Sequence, residues 1–212
     1  MSIAHEIAER LLQIKAIKLS PNDPFTWASG IKSPIYCDNR LVLSYPEHRD
    51  AVRDAFCAVA DTFGAYDLIA GVATAGIAHG ALMADKLARP FAYVRSKAKQ
   101  HGRQNMIEGE IPPASRVLVV EDLISTGGSC LQAVEALREA GHTVVGVLAI
   151  FTYNFDRASE AFQRAEVPFQ TLSDYHHLLE IAERTHYISN ADLQYLNDWR
   201  ARTGAPKTET TR

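Results

Sequence analysis

The chain has 212 residues, 47% of them hydrophobic, with a formal net charge of −3. That length suits one α/β domain with an elaboration and suffices to bury a large core, while the slight negative charge argues against a general nucleic-acid surface. Cys37, Cys57 and Cys130 are scattered without metal-ligand spacing and fit a reduced, cytoplasmic compartment. No apolar run approaches the ~20 residues of a membrane span, and Met1 to Arg10 carries no signal-peptide pattern.

Ile3, Ile7, Leu11 and Ile14 recur at helical spacing and predict an amphipathic first helix. Residues 20 to 45 are rich in Pro, Asn, Asp and aromatics, with short extended pieces around Phe25–Ala28 and Pro34–Asp38. They read as an N-terminal hood rather than a separate domain. A helix with Val52, Phe56, Val59 and Phe63 inward follows, then strand Asp67–Gly71, a helix from about Gly76 to Leu87, and strand Pro90–Arg95. A long polar segment, Ser96 to Ser115, precedes the apolar strand Val117–Val120. The helix after it carries Cys130, Val134, Leu137 and Gly141 on one face. Strand Thr143–Phe151, helix Asp156–Ala165, strand Pro168–Leu172 and two helices, about Ser173–Glu183 and Ser189–Ala201, complete the pattern. The whole reads as a single domain: helix and hood over 1–45, an α/β core over about 46–201, and a disordered tail over 202–212. Strand–helix alternation predicts a parallel sheet covered on both faces.

Residues 117 to 129, Val-Leu-Val-Val-Glu-Asp-Leu-Ile-Ser-Thr-Gly-Gly-Ser, say more than any other stretch. Open α/β sheets bind ligands at the carboxyl ends of their strands. Thr126, Gly127, Gly128 and Ser129 let a phosphate approach backbone N–H groups with no Cβ in the way, and the helix start behind them adds a partial positive charge. Glu121 and Asp122 would repel that phosphate, so they make sense as acceptors for vicinal hydroxyls. A phosphate beside a hydroxyl pair describes a ribose 5-phosphate. A plain strand running into an N-capped helix is the structural alternative. The string is neither a Walker A loop nor a dinucleotide fingerprint.

Taken whole, 117–129 resembles the phosphoribosyl-pyrophosphate (PRPP) signature of the type I phosphoribosyltransferases. The resemblance implies that family's α/β core, a central parallel sheet flanked by helices with an N-terminal hood. It implies PRPP contacts over Glu121, Asp122, Leu123, Ile124, Ser125, Thr126, Gly127, Gly128 and Ser129, with Asp122 also catalytic. The basic segment after Arg95 is either a solvated loop or a binding lid. It looks like the catalytic loop of the orotate phosphoribosyltransferases, Arg-x-x-x-Lys-x-His-Gly, placed here on Arg95, Lys99, His101 and Gly102. The resemblance implies Lys99 and His101 as catalytic groups, Arg95, Lys99 and His101 on PRPP, and a homodimer whose active sites are shared between subunits.

The segment from Phe25 to Arg40 resembles that family's base-binding motif around Ser-Gly-x-x-Ser-Pro. Ser125 matches the position whose hydroxyl contacts orotate. Tyr36 is either an apolar wall for the base or hood core, and Lys32 is either a partner for its carboxylate, a role open to Arg40 too, or a surface residue. The turn Ala73, Thr74, Ala75 and Gly76 resembles the pyrophosphate-binding turn; a helix cap at Thr74 is the other reading. Ala28, Thr74-Ala75 and Tyr36-Cys37 depart from the common bacterial pattern, and two family cations are absent.

The implied activity is transfer of ribose 5-phosphate from PRPP to N1 of orotate, in pyrimidine (UMP) biosynthesis. Mg²⁺ is implied as cofactor, held mainly by substrate and water rather than by direct protein ligands. His176-His177 and the other histidines show no metal spacing. Orotate and PRPP are the expected partners, without nucleic acid or membrane. A transferase for a purine or uracil, and a PRPP-sensing regulator, are the competing readings.

Overall fold

The computed structural model describes residues 2–27, 30, 32–95 and 106–204. Helix α1 (Ile3–Gln13) is capped by Ser2, which accepts from the His5 backbone N–H, and it buries Ile7, Ala8, Leu11 and Leu12. Four short strands follow: β1 (Ile17–Leu19), β2 (Phe25–Thr26), β3 (Lys32–Ser33) and β4 (Ile35–Cys37). They pair antiparallel as β1–β4 and β2–β3. A 3₁₀ turn, Asn39–Ser44, leads into α2 (Pro46–Ala60), which starts on a proline as a first helical turn permits.

The core continues with β5 (Leu68–Val72), α3 (Ala75–Lys86), β6 (Phe91–Val94), β7 (Ile107–Glu108), β8 (Arg116–Ile124) and α4 (Gly128–Glu139). It ends with β9 (Thr143–Thr152), α5 (Asp156–Arg164), β10 (Phe169–Asp174), α6 (Tyr175–Arg184) and α7 (Asn190–Gly204). The six-stranded sheet has the order β10–β9–β8–β5–β6–β7. Five strands are parallel, with β8 and β5 near the middle, and every residue of β5 is buried, as a strand covered on both faces requires. Ile69, Leu118, Val120, Leu148 and Ile150 pack with α1, α2, α3 and α6 on one face. Ala70, Val119, Val147 and Ala149 pack with α4 and α5 on the other. Among the described residues no helix is long and apolar enough to cross a membrane.

The structure corrects the sequence reading in several places. The sheet is mixed, because β7 pairs antiparallel with β6 through Tyr93↔Glu108 and Val94↔Ile107. This strand lies inside the stretch expected to be a structureless polar connection. Its pairing is non-local, and two residues show no periodicity. Strand β8 runs past the acid pair to Ile124, since β9 is long enough to hold it in register out to Ile124↔Thr152. Helix α2 ends at Ala60, and Phe63 sits in a following 3₁₀ turn, packed over Gly146. Gly141 does not line a face of α4; at φ +86° it follows the helix end, a conformation open to glycine. Residues 202–204 continue α7 rather than opening a tail, because Gly204 is buried against Phe155.

Candidate active site

The elements converge at the carboxyl ends of the parallel strands, where the turn after β5, Arg95 after β6, residues 121–129 and Tyr153 after β9 all lie. The acid pair stands at the last part of β8. Glu121 is 5% exposed and accepts from the Asp122 backbone N–H (3.0 Å), the Ser129 hydroxyl (3.5 Å) and the Cys130 thiol (3.6 Å). Burial, then the neighbouring Asp122 charge, pushes Glu121 up to about 8. Burial raises Asp122 as well. With no substrate bound, the pair therefore holds a proton at neutral pH. Donors brought by a ligand would favour the charged form.

Behind the acids the chain makes a loop shaped for an anion. Gly127 has φ +83°, and a Cβ there would meet the Phe162 ring at 2.7 Å, so glycine is demanded twice. Helix α4 begins at Gly128 with no side chain capping its first turn. Its leading backbone N–H groups are thus open to a phosphate. Gly128 faces open space except for Thr126 Oγ1 at 4.0 Å, and Thr126 and Ser129 are exposed. Ile124 differs from its neighbours: its side chain is fully buried in the α4–α5 core, leaving only its backbone for a ligand.

The turn after β5 is built by packing. A Cβ on Gly76 would come within 2.4 Å of the Val120 carbonyl oxygen, so α3 lies directly against β8. Thr74 occupies the position before α3, but its side chain makes no capping bond. The Ala73–Thr74 peptide is cis, and the Ala73 N–H donates to the Val94 carbonyl. Ala73, Thr74 and Ala75 form the accessible part of the turn, while Gly76 is buried.

Arg95 closes the base of the β6–β7 ribbon. Its N–H donates to the Met106 carbonyl at 2.8 Å, and its guanidinium lies 3.3 Å from Glu108. Lys99 and His101 lie outside the described residues, as do Lys97, Gly102 and Arg103.

Between hood and sheet lies a cleft of about 210 Å³, lined by Trp27, Tyr36, Cys37, Leu123, Ser125 and Tyr153. It is smaller than the ~300–1,000 Å³ of drug-sized sites and suits a single ring. Tyr36 and Ser125 fall in this lining. Lys32 does not: its ammonium donates to Thr26 across the β2–β3 pair and is exposed. Arg40 is forked onto Asp38 at 2.7 and 2.9 Å. Sequence reasoning missed Tyr153, Cys37 and Trp27 as lining, and Asn39 as a link. Buried Asn39 donates to the Asp122 carbonyl at 2.7 Å and accepts from the Cys37 thiol, fastening the hood to the end of β8. The rule that ligands gather at strand carboxyl ends would have picked out Tyr153.

A model of the phosphoribosyl transferase domain matches residues 42–175, more than half of the chain. The chain belongs to the phosphoribosyltransferase family. The matched region starts where the hood ends, which leaves the base-facing wall to be compared with individual relatives. An orotate phosphoribosyltransferase of Bacteroides thetaiotaomicron is 57% identical over 194 residues, covering 91% of this chain and 92% of the relative. One from Staphylococcus saprophyticus is 55% identical over 199 residues, covering 93% and 98%. Among solved structures, the orotate phosphoribosyltransferase of Aeropyrum pernix superposes with a TM-score of 0.75 at 28% identity, covering 86% of this chain and 99% of that one.

Proposed function

We infer that the chain is an orotate phosphoribosyltransferase, joining C1 of PRPP to N1 of orotate and releasing pyrophosphate, a step of UMP synthesis. The observation that carries this is identity above 50% to enzymes of that name, extending through the hood where the base cleft lies. Substrate supplies the nucleophile, so no nucleophilic side chain is needed. The open N–H groups at the start of α4, with Ser125 to Ser129, hold the 5-phosphate. Glu121 and Asp122 accept from the ribose hydroxyls, lose their shared proton as they do so, and stabilise positive charge growing on the ring as the C1–O bond breaks. Ala73, Thr74 and Ala75 present backbone to the pyrophosphate. Arg95, Lys99 and His101 offset its growing negative charge, with Lys99 and His101 supplied across a homodimer by the partner. Leu123 and Tyr36 wall the base, and the Ser125 hydroxyl bonds it.

Mg²⁺ fits this donor set. The acid pair offers hard oxygen ligands, and among the described residues no group of three or more His, Cys, Asp or Glu forms a protein-built cage. Bound through substrate and water, the ion would supply charge neutralisation of the pyrophosphate. The cytoplasm is the compartment this chemistry implies.

The test is loss of orotate absorbance with PRPP and Mg²⁺, against adenine, hypoxanthine and uracil. Consumption of orotate alone, dependent on PRPP and Mg²⁺, is the expected result. Turnover of another base instead would sink the base assignment while keeping the PRPP site. PRPP binding with no turnover of any base would mark a regulator.

A further inference from the structure

Helix α7 lines no part of the base cleft, yet it is bonded to both of its walls. Trp199 and Arg200 are consecutive residues of this helix. The Trp199 indole donates through Nε1 to the Lys32 carbonyl at 3.2 Å. Arg200 donates through Nη1 to the Asn154 carbonyl at 2.6 Å. Lys32 belongs to the hood and falls in the chain between the lining residues Trp27 and Tyr36, while Asn154 directly follows Tyr153 at the end of β9. The Trp199 ring also packs edge-on against Trp27 at 5.8 Å and lies 6.0 Å from Phe155. One turn of one helix thus reaches two segments that lie 167 and 46 residues away in the chain.

Both bonds are of a kind that holds a backbone in place. Trp199 is buried, so its indole N–H must keep an acceptor. Asn154 has φ +54°, a left-handed conformation uncommon outside glycine, and a charged donor on its carbonyl is stronger than a neutral one. Helix α7 is itself anchored apart from the cleft, through the Tyr175 hydroxyl on the Leu196 carbonyl and through Gly204 against Phe155. The phosphoribosyl transferase domain matches residues 42–175, so hood and α7 both lie outside the matched part and meet each other at Trp27 and Trp199.

We propose that α7 is a clasp that fixes the width of the base cleft, with Trp199 and Arg200 as positioning residues: Trp199 holds the hood wall through the Lys32 carbonyl, and Arg200 holds the strand-end wall through the Asn154 carbonyl. Neither side chain touches the base. The proposal rests on the base assignment above and extends it from the residues that line the cleft to those that set their spacing. A site grips its ligand only while its walls keep their geometry to within about 0.5 Å. Among the described residues α7 makes no hydrogen bond to 121–129, so PRPP recognition is spared when the clasp is loosened.

The experiment compares wild type with Trp199→Phe, Arg200→Met, Arg200→Lys and Arg138→Met in steady-state kinetics with orotate, calorimetric binding of PRPP and of orotidine 5′-monophosphate, and thermal melting. Trp199→Phe keeps a ring and removes the N–H; Arg200→Met keeps an unbranched stem and removes the charge. Each is expected to raise KM for orotate and Kd for the nucleotide product roughly 10-fold, with Kd for PRPP within twofold. Arg200→Lys retains a cationic donor and is expected to recover most of the loss. Arg138 makes a comparable bond, to the Ala165 carbonyl at 2.7 Å, but from the last turn of α4. Arg138→Met is therefore expected to lower the melting temperature and leave both substrates' constants at wild-type values. An orotate KM within twofold of wild type in either Trp199→Phe or Arg200→Met overturns the proposal, and so does an equal weakening of orotate and PRPP. Wild type that turns over another base but not orotate removes the base assignment alone; the same variants are then measured with that base, and an unchanged KM for it overturns the clasp.

Discussion

Replacing Glu121 by Gln tests the acid pair most directly. In the folded, substrate-free chain Glu121 is 5% exposed and titrates at about 8, against the ordinary 4.5. The folded state thus binds more protons than the unfolded chain between those two values. Stability contributed by that proton is complete below about pH 4.5 and is lost as pH rises through about 8. At ~1.4 kcal/mol per pH unit the gap corresponds to roughly 3–5 kcal/mol, a property of the Glu121–Asp122 pair rather than of one residue. Glutamine keeps the shape but has no proton to lose. Urea unfolding of both proteins without substrate at pH 5.5, 7 and 9 reads the difference, because groups common to both cancel. Wild type should lose stability relative to Glu121→Gln as pH rises, by several kcal/mol between pH 5.5 and pH 9. Parallel stability profiles would refute the buried shared proton, and with it the idea that substrate hydroxyls draw the pair into its charged form.

Gly127→Ala places a Cβ on a left-handed backbone and 2.7 Å from Phe162. It should cost ~1–2 kcal/mol from conformation alone and weaken PRPP binding measured by calorimetry; unchanged PRPP affinity would remove the loop from the phosphate site. Asn39→Ala strips a buried donor from the Asp122 carbonyl. A loss of ~1–3 kcal/mol in urea unfolding with a fall in kcat is expected, and kcat at the wild-type level would mean the hood link does not position the acid. Lys99→Ala should reduce kcat about 10²–10³-fold, as for loss of one transition-state donor, with PRPP Kd changing far less. Equal effects on both would deny a transition-state role.

What could be read in the sequence follows from the range of the interactions involved. Strands β5, β8 and β9 were legible because burial on both faces demands unbroken apolar runs such as Val117–Val120. The loop after β8 was legible as a turn because a φ of +83° and the close approach of Phe162 write Gly127 into the chain. Strand β7 was not, since two residues owe their state wholly to pairing with β6. Nor was the Asn39–Asp122 link, which joins positions 83 residues apart and looks locally like an ordinary loop asparagine. Lys32 misled for a related reason: a cation near a base motif invites a ligand role, yet the cross-strand neighbour Thr26 takes its ammonium. Tyr153 followed a strand whose end was visible, but its place in the cleft lining emerges only when the hood residues Trp27, Tyr36 and Cys37 are seen beside it.

The cleft stands on a seam. One wall comes from the strand end and loop over 121–129, the other from hood residues between 25 and 37, with Tyr153 at the join. In the proposed reading the first wall holds the ribose and its phosphate and, through Leu123 and Ser125, one side of the base, while the second wall supplies only base contacts. A lineage could therefore exchange its nucleobase by drift within the hood while the phosphoribosyl half stays constant. Directed libraries for new bases would concentrate on 25–37 and 153, and Asn39 would be held fixed as the hinge pin on which any replacement hood must hang.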